Sequence, residues 1–244
     1  MSRLKTMGFA ALVLSVAGAC IGLGRWQLRR LAERRAHNLE VLRAREAPPV
    51  NLNDEPPAGN RIAAEELVYR RVSTAGTYDH SRAIVLRGRV FQGTPGVYLV
   101  TPLILAGKDT AVLVNRGFVP AADAFHIDHT ELDRPASTTV TGVAILIPVL
   151  PDEEGAVPIV SDGDTTWRRL ERRAVTSRFP YPVLPVVIMA DPRSDSTGSG
   201  YPLGLGPEPI TDGPHLSYAI QWFSFAAIAL IGGGLWLRRA PGRT

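Results

Sequence analysis

Two uncharged apolar stretches stand near the ends of this chain, and the residues between them alternate short apolar runs with turn-forming residues. Residues 7–24 (MGFAALVLSVAGACIGLG) contain no charge. At about 1.5 Å per helical residue they nearly cross a hydrocarbon core of about 30 Å. Residues 215–237 make a longer apolar stretch with Tyr218, Trp222 and Trp236 near its ends, where amphipathic rings favour a membrane interface. Arg3 and Lys5 precede the first stretch, Arg25, Arg29 and Arg30 follow it, and Arg238 and Arg239 follow the second. The pattern predicts a membrane protein with two transmembrane helices flanking one domain. The tails cover 1–6 and 238–244, the helices 7–24 and 215–237, and the domain 25–214.

Within the domain, residues 25–45 contain no Gly or Pro and place Trp26, Leu28, Leu31, Leu39 and Leu42 among arginines. A basic juxtamembrane helix is expected there, ended by Pro48 and Pro49. Its arginines suit anionic headgroups, a protein partner or plain solvent equally. Over 69–190 come runs rich in Val, Ile, Leu, Thr and Tyr, at 72–78, 83–90, 97–105, 110–118, 140–147 and 184–189. Turn signals such as Gly93-Thr94-Pro95-Gly96 and Gly107-Lys108-Asp109 separate them. The expectation is a β-rich, α+β domain built as an antiparallel sheet or a small barrel, with one short helix over 167–178. Residues 191–214, dense in Gly, Pro, Ser and Asp, read as a loop returning to the membrane.

Composition adds limits. At 244 residues there is room for one core plus anchors. The formal charge of +4 is modest, the basic groups sit beside the spans, and they form no basic stripe with aromatics repeated along it, so nucleic acid is not an expected partner. The single cysteine, Cys20, excludes an internal disulfide framework and a paired-thiol metal site. Ala17-Gly18-Ala19-Cys20 approximates a lipoprotein cleavage box, but Ala17 stands where a branched apolar residue is usual. The preferred reading is helix packing, on a face written as Ala11, Ser15, Gly18 and Gly22. The arginines after the two spans pull the domain in opposite directions, and long domains translocate largely regardless of charge.

No nucleophile elbow, Walker loop or dinucleotide fingerprint is present, so an enzyme is not expected. His126 and His129, near Asp128 and Glu131, have ligand-type side chains but read as a solvated loop, and Asp162-Gly163-Asp164 reads as a turn. His37 and His80 have no evident sequence partners. His215 differs. Asp212 can cap a helix and Pro214 can occupy its first turn, which would stand the imidazole at the lip of the second span. A helix N-terminus disfavours positive charge and so favours an imidazole with a lone pair to give. On helical spacing His215, Tyr218, Trp222 and Phe225 share a face, an arrangement able to hold a porphyrin. The plainer alternative is an interface histidine among belt aromatics.

These residues complete a longer series: Gly24-Arg25-Trp26-Gln27 with Arg29, Tyr69-Arg70-Arg71-Val72, Gly76-Thr77-Tyr78 and Arg87-Gly88-Arg89. The series continues with Pro95-Gly96, Thr101-Pro102-Leu103, the run from Val112 through Asn115-Arg116-Gly117 to Pro120, and His215-Leu216-Ser217-Tyr218-Ala219 with Trp222-Phe223. In this series the chain resembles the surfeit locus protein 1 family of cytochrome c oxidase assembly factors. The resemblance implies a non-enzymatic chaperone of the respiratory chain, in a bacterial plasma membrane or the mitochondrial inner membrane of a eukaryote, with its central domain external. It further implies transient binding of haem A with His215 as iron ligand, and the aromatic face read from helical spacing then puts Tyr218 and Trp222 beside the macrocycle. The implied partners are the haem-bearing catalytic subunit of the oxidase, its other subunits, the haem A synthesis machinery and the lipid bilayer. The rival reading is a structural scaffold or accessory subunit that binds no haem. Copper delivery lacks a paired thiol or a methionine-rich segment.

Overall fold

The computed structural model describes residues 3–54, 64–127, 132, 135–150, 158–161, 164–192, 194 and 200–239. In chain order the elements are α1 (Arg3–Glu46), β1 (Val50–Asn51), α2 (Ala64–Leu67), β2 (Arg71–Tyr78), a 3-10 turn (His80–Arg82), β3 (Ile84–Phe91), β4 (Thr94–Leu105) and β5 (Ala111–Pro120). They continue with β6 (Ser137–Leu146), β7 (Ile159–Ser161), β8 (Asp164–Trp167), α3 (Arg172–Arg178), β9 (Val183–Ala190) and α4 (His215–Arg239). Two compact units result, one of Met1–Val41 with Ile210–Thr244 and one of Leu42–Pro209.

The first unit is an antiparallel helix pair. Among the described residues two helices, α1 and α4, are long and apolar enough to cross a membrane. Along α1 the buried positions are Ala17, Cys20, Gly24, Leu31, Asn38 and Val41, spaced by three, four or seven residues. Along α4 they are Ala219, Ala226 and Gly233, seven apart. Such spacing keeps one face of each helix turned to its neighbour. Small residues at the seam let the backbones approach closely. A Cβ on Gly24 would lie 2.8 Å from the Phe223 ring, and one on Gly233 would lie 2.7 Å from Val13 Cγ1. Phe9 and Trp236 close the far end with ring centroids 4.2 Å apart. Leu12, Leu14, Val16, Ile21, Ile220, Ile228 and Ile231 stay exposed around the pair, as side chains facing lipid would.

This seam corrects the packing face read from sequence. Ala11, Ser15, Gly18 and Gly22 are exposed, and a Cβ on Gly18 or Gly22 would meet nothing within 4 Å. Cys20 lies about 200° around the helix from Gly18 at 3.6 residues per turn, so it belongs to the opposite, α4-facing stripe. Cys20 is buried there. Cys20→Ala is therefore expected to cost about 1 kcal/mol or less. Intact-mass measurement should find Cys20 unlipidated and still joined to Ala19; a diacylglyceryl product beginning at residue 20 would contradict this seam.

The second unit is a closed barrel with an extension. Its sheet runs β1-β2-β6-β9-β5-β4-β3-β8-β7, and a further β2–β4 pairing closes the ring β2-β6-β9-β5-β4. Closure works because the 12-residue β4 serves two partners: Leu103–Leu105 pair with β2, while Thr94–Val100 pair with β3. Strand β5 is buried along almost its whole length because both faces are covered. Val112 and Val114 point into the barrel core with Tyr78, Leu103, Val140, Val186 and Ile188. Leu113, between them, packs on the other side with Ile84, Val100, Trp167 and Val175.

The barrel form expected from the alternating runs is present, with pairings that alternation does not reveal. β5–β9, β3–β8 and β1–β2 are parallel. The helix expected over 167–178 is shorter than its sequence window: Trp167 ends β8, pairs with Leu86 and buries its indole, and only Arg172–Arg178 is helical. Glu171 sets that start by accepting the Ala174 N–H at 2.8 Å, which holds its carboxyl below the usual glutamate range.

Candidate functional site

His215 is the first residue of α4. The Pro214 carbonyl accepts the Tyr218 N–H at 3.1 Å and the Ser217 hydroxyl at 2.8 Å, so Pro214 supplies the first carbonyl of the helix. The capping role expected of Asp212 is not what forms. Its carboxylate accepts Arg35 Nε at 2.8 Å and Asn38 Nδ2 at 3.2 Å, and the Arg35 guanidinium holds the carboxyl below its usual range. Two cationic or amide donors on α1 outcompete the local turn for that carboxylate. Asn38 Nδ2 and Arg34 Nε also donate to the Thr211 carbonyl, at 3.1 and 3.3 Å. The segment just before His215 is thereby fastened to α1, and two of the arginines left unassigned in the sequence gain a positioning task.

The His215 ring is half-buried, and its Nδ1 lies 2.9 Å from Oε1 of Gln27 on α1. Nε2 has no hydrogen bond among the described residues, and its edge passes Gly213, where a Cβ would lie 3.8 Å from Nε2. Tyr218, 46 % exposed, and Phe225, 52 % exposed, continue the same helical face, with Trp222 half-buried between them. The Trp222 and Phe225 rings meet edge-on, with centroids 6.0 Å apart and an interplanar angle of 83°. One nitrogen free to coordinate, above exposed aromatic rings, suits an axially ligated macrocycle in both donor type and surface.

The other candidates fall elsewhere. His126 Nδ1 pairs with Asp123 at 2.5 Å in an exposed turn. Backbone N–H groups of His126 and Phe125 and the His126 ring together hold the Asp123 carboxyl at about 2. Asp128, His129, Glu131, Asp162 and Gly163 lie outside the described residues. Among the described residues no cluster of three or more His, Cys, Asp or Glu side chains could hold a metal ion. His80 Nε2 meets the Pro135 carbonyl at 2.9 Å.

Gln27 is the residue that sequence reasoning missed. Its only signal was membership of the Trp26-Gln27 pair, 188 positions from His215. The Asn115-Arg116-Gly117 motif sits inside β5 at a bulge. Leu99 pairs with Gly117 and Val100 with Asn115, which leaves Arg116 as the extra residue. Arg116 is buried, its guanidinium carbon 4.9 Å from the centre of the Tyr78 ring. Asn115 Oδ1 accepts the Gly117 N–H at 3.1 Å, and Asn115 and Gly117 line a cleft of about 470 Å³ with Phe91, Tyr98, Met189 and the 203–209 segment.

Comparison with known proteins identifies the family. The SURF1 family model matches residues 14–227. A SURF1-like protein of Monosiga brevicollis is 32% identical over 94% of this chain and 87% of its own length. A SURF1-like protein of Mycobacterium tuberculosis is 29% identical over 93% of the chain and 82% of its own. Rat Surfeit locus protein 1 is 26% identical over 94% of the chain and 76% of its own. This chain belongs to the SURF1 family, membrane-associated assembly factors of cytochrome c oxidase.

Proposed function

We propose that the protein binds haem A transiently at His215 and assists its insertion or retention in the catalytic subunit of the oxidase. The observation that supports this reading most directly is the coordination-ready Nε2 of His215 at the head of α4, above Tyr218, Trp222 and Phe225. When bound, haem A would supply an iron that takes one imidazole as axial ligand and an apolar macrocycle that prefers aromatic surface to water. His215 would provide the nitrogen, and Tyr218 and Trp222 the flanking surface. A single protein ligand at an exposed face suits a carrier, because a cargo that must be handed on cannot be enclosed. The experiment is haem titration of the detergent-purified protein, with loss of binding on His215→Ala as the expected result.

The same reading puts both termini in the cytoplasm and the domain between the spans outside, in a bacterial plasma membrane. The basic pair Arg238 and Arg239 follows α4 directly, while no Lys or Arg lies close before it. Alkaline phosphatase inserted in the 191–206 loop should be active. Inactivity there, with activity at the C-terminus, would reverse the orientation. The oxidase subunits and the haem A synthesis machinery are the partners this reading requires.

A further inference from the structure

We infer that Gln27 is a positioning residue for His215: it fixes the ring in the Nδ1–H tautomer, so that Nε2 is the nitrogen offered to iron. The inference rests on the haem-binding reading above and adds a second helix to the site.

A neutral imidazole carries one N–H, and which nitrogen bears it is set by the partner of the other groups around the ring. Here Gln27 Oε1, an acceptor, stands 2.9 Å from Nδ1. Nδ1 must therefore donate, and the lone pair is left on Nε2. The Asp212 carboxylate, three positions before His215 in sequence, is taken by Arg35 and Asn38 on its two oxygens. Gly213 completes the arrangement. It adopts a φ of +70°, and a Cβ there would lie 3.6 Å from Cδ2 and 3.8 Å from Nε2, against the edge that faces the ligand. Gly213 thus packs beside the ring at ordinary contact distance, while Gln27 sets which nitrogen carries the proton.

A hydrogen bond accepted from the remote N–H of a ligating imidazole also raises the basicity of the coordinating nitrogen. That stabilises the ferric state and lowers the midpoint potential, and a carboxylate acceptor does so more strongly than an amide. Gln27 would then act on the redox poise of the cargo as well as on its geometry. It would also link haem affinity to correct pairing of α1 with α4, because Gln27 and His215 belong to different helices.

The test uses the full-length protein in detergent, with three variants: Gln27→Leu, Gln27→Glu and His215→Ala. First, the ring-nitrogen chemical shifts of 15N-histidine-labelled apo-protein at pH 8.5 report the tautomer without any haem. The expected result is Nδ1–H in the wild type and in Gln27→Glu, and a mixture in Gln27→Leu. An Nε2–H tautomer in the wild type would overturn the inference. Second, titration with haem A should show affinity reduced by roughly 10–100-fold in Gln27→Leu and substantially restored in Gln27→Glu. Third, the midpoint potential of bound haem should move negative in Gln27→Glu and positive in Gln27→Leu. Equal potentials in the wild type, Gln27→Leu and Gln27→Glu would contradict a positioning role, because a merely structural residue can alter affinity without ordering the potentials this way. If His215→Ala keeps its haem, the haem-binding reading fails, whatever tautomer the nitrogen shifts report. If His215→Ala loses haem while Gln27→Leu matches the wild type in tautomer and potential, only the role of Gln27 fails. Far-UV circular dichroism and thermal unfolding check that each variant remains folded.

Discussion

His215→Ala is expected to strip haem A from the protein while leaving both helices and the barrel folded. The substitution removes a half-buried ring at a helix start and one hydrogen bond, to Gln27. The structural cost should be on the order of 1 kcal/mol, well inside ordinary stability margins. The cost to haem should be far larger, because the variant loses the ligand itself. It should exceed the roughly 10–100-fold that loss of an outer-shell partner brings. His126→Ala combined with His129→Ala is the control: His126 is tied to Asp123 in an exposed turn of the other unit, so the spectrum should not change. A His215→Ala protein with wild-type haem content and the same Soret position would favour the scaffold alternative. Loss of haem from the double variant would move the site into the barrel unit.

Gly117→Ala is expected to be the most damaging single methyl in the barrel. Gly117 has a φ of +125°, outside the region open to L side chains, and its Cβ would sit 2.0 Å from the Leu203 carbonyl oxygen. That oxygen accepts the Phe118 N–H at 2.9 Å, and the Leu203 N–H returns to the Phe118 carbonyl at 2.8 Å. An added methyl must therefore push the 203 segment off β5 and break that bridge. Backbone strain and the lost contacts together should cost about 3 kcal/mol or more. Gly107→Ala is the comparison: its φ is +76°, but a Cβ there meets nothing within 4 Å, so only strain of about 1 kcal/mol is expected. Urea unfolding followed by tryptophan fluorescence separates the two, because Trp167 is buried in the barrel unit. Equal midpoints for the two variants would contradict the close approach at Gly117.

The contrast between these two glycines shows which parts of the fold could be read in one dimension. Gly107 sits in a turn flanked by alternating apolar runs, and such turns announce themselves by residue type. Gly117 does its work through a loop more than eighty positions away, and no local pattern names Leu203. The barrel strands were legible because alternation follows from side chains pointing to opposite faces. The parallel pairing of β5 with β9 was not, since alternation is the same for either neighbour direction. The bulge at Arg116 was not legible either, because an extra residue is defined only against the partner strand it fails to pair with.

The candidate site divides in the same way. His215 and its aromatic face were readable from helical spacing on one segment. Gln27 was not, because the contact depends on which stripe of α1 meets α4. Choosing the stripe of Ala11 and Gly18 would have turned Gln27 away from His215. The stripe that forms, with Ala17, Cys20 and Gly24, brings the two together. Asp212 illustrates the reverse error: a capping residue by type and place, it was taken by Arg35 and Asn38 on the other helix.

The most direct test of the central claim is the absorption spectrum of the wild-type protein, purified in detergent from cells that coexpress the haem A synthesis enzymes. Binding at His215 predicts a haem A Soret band that co-elutes with the protein and a pyridine haemochrome assay that identifies the pigment as haem A. A colourless protein from cells whose membranes contain haem A would contradict it.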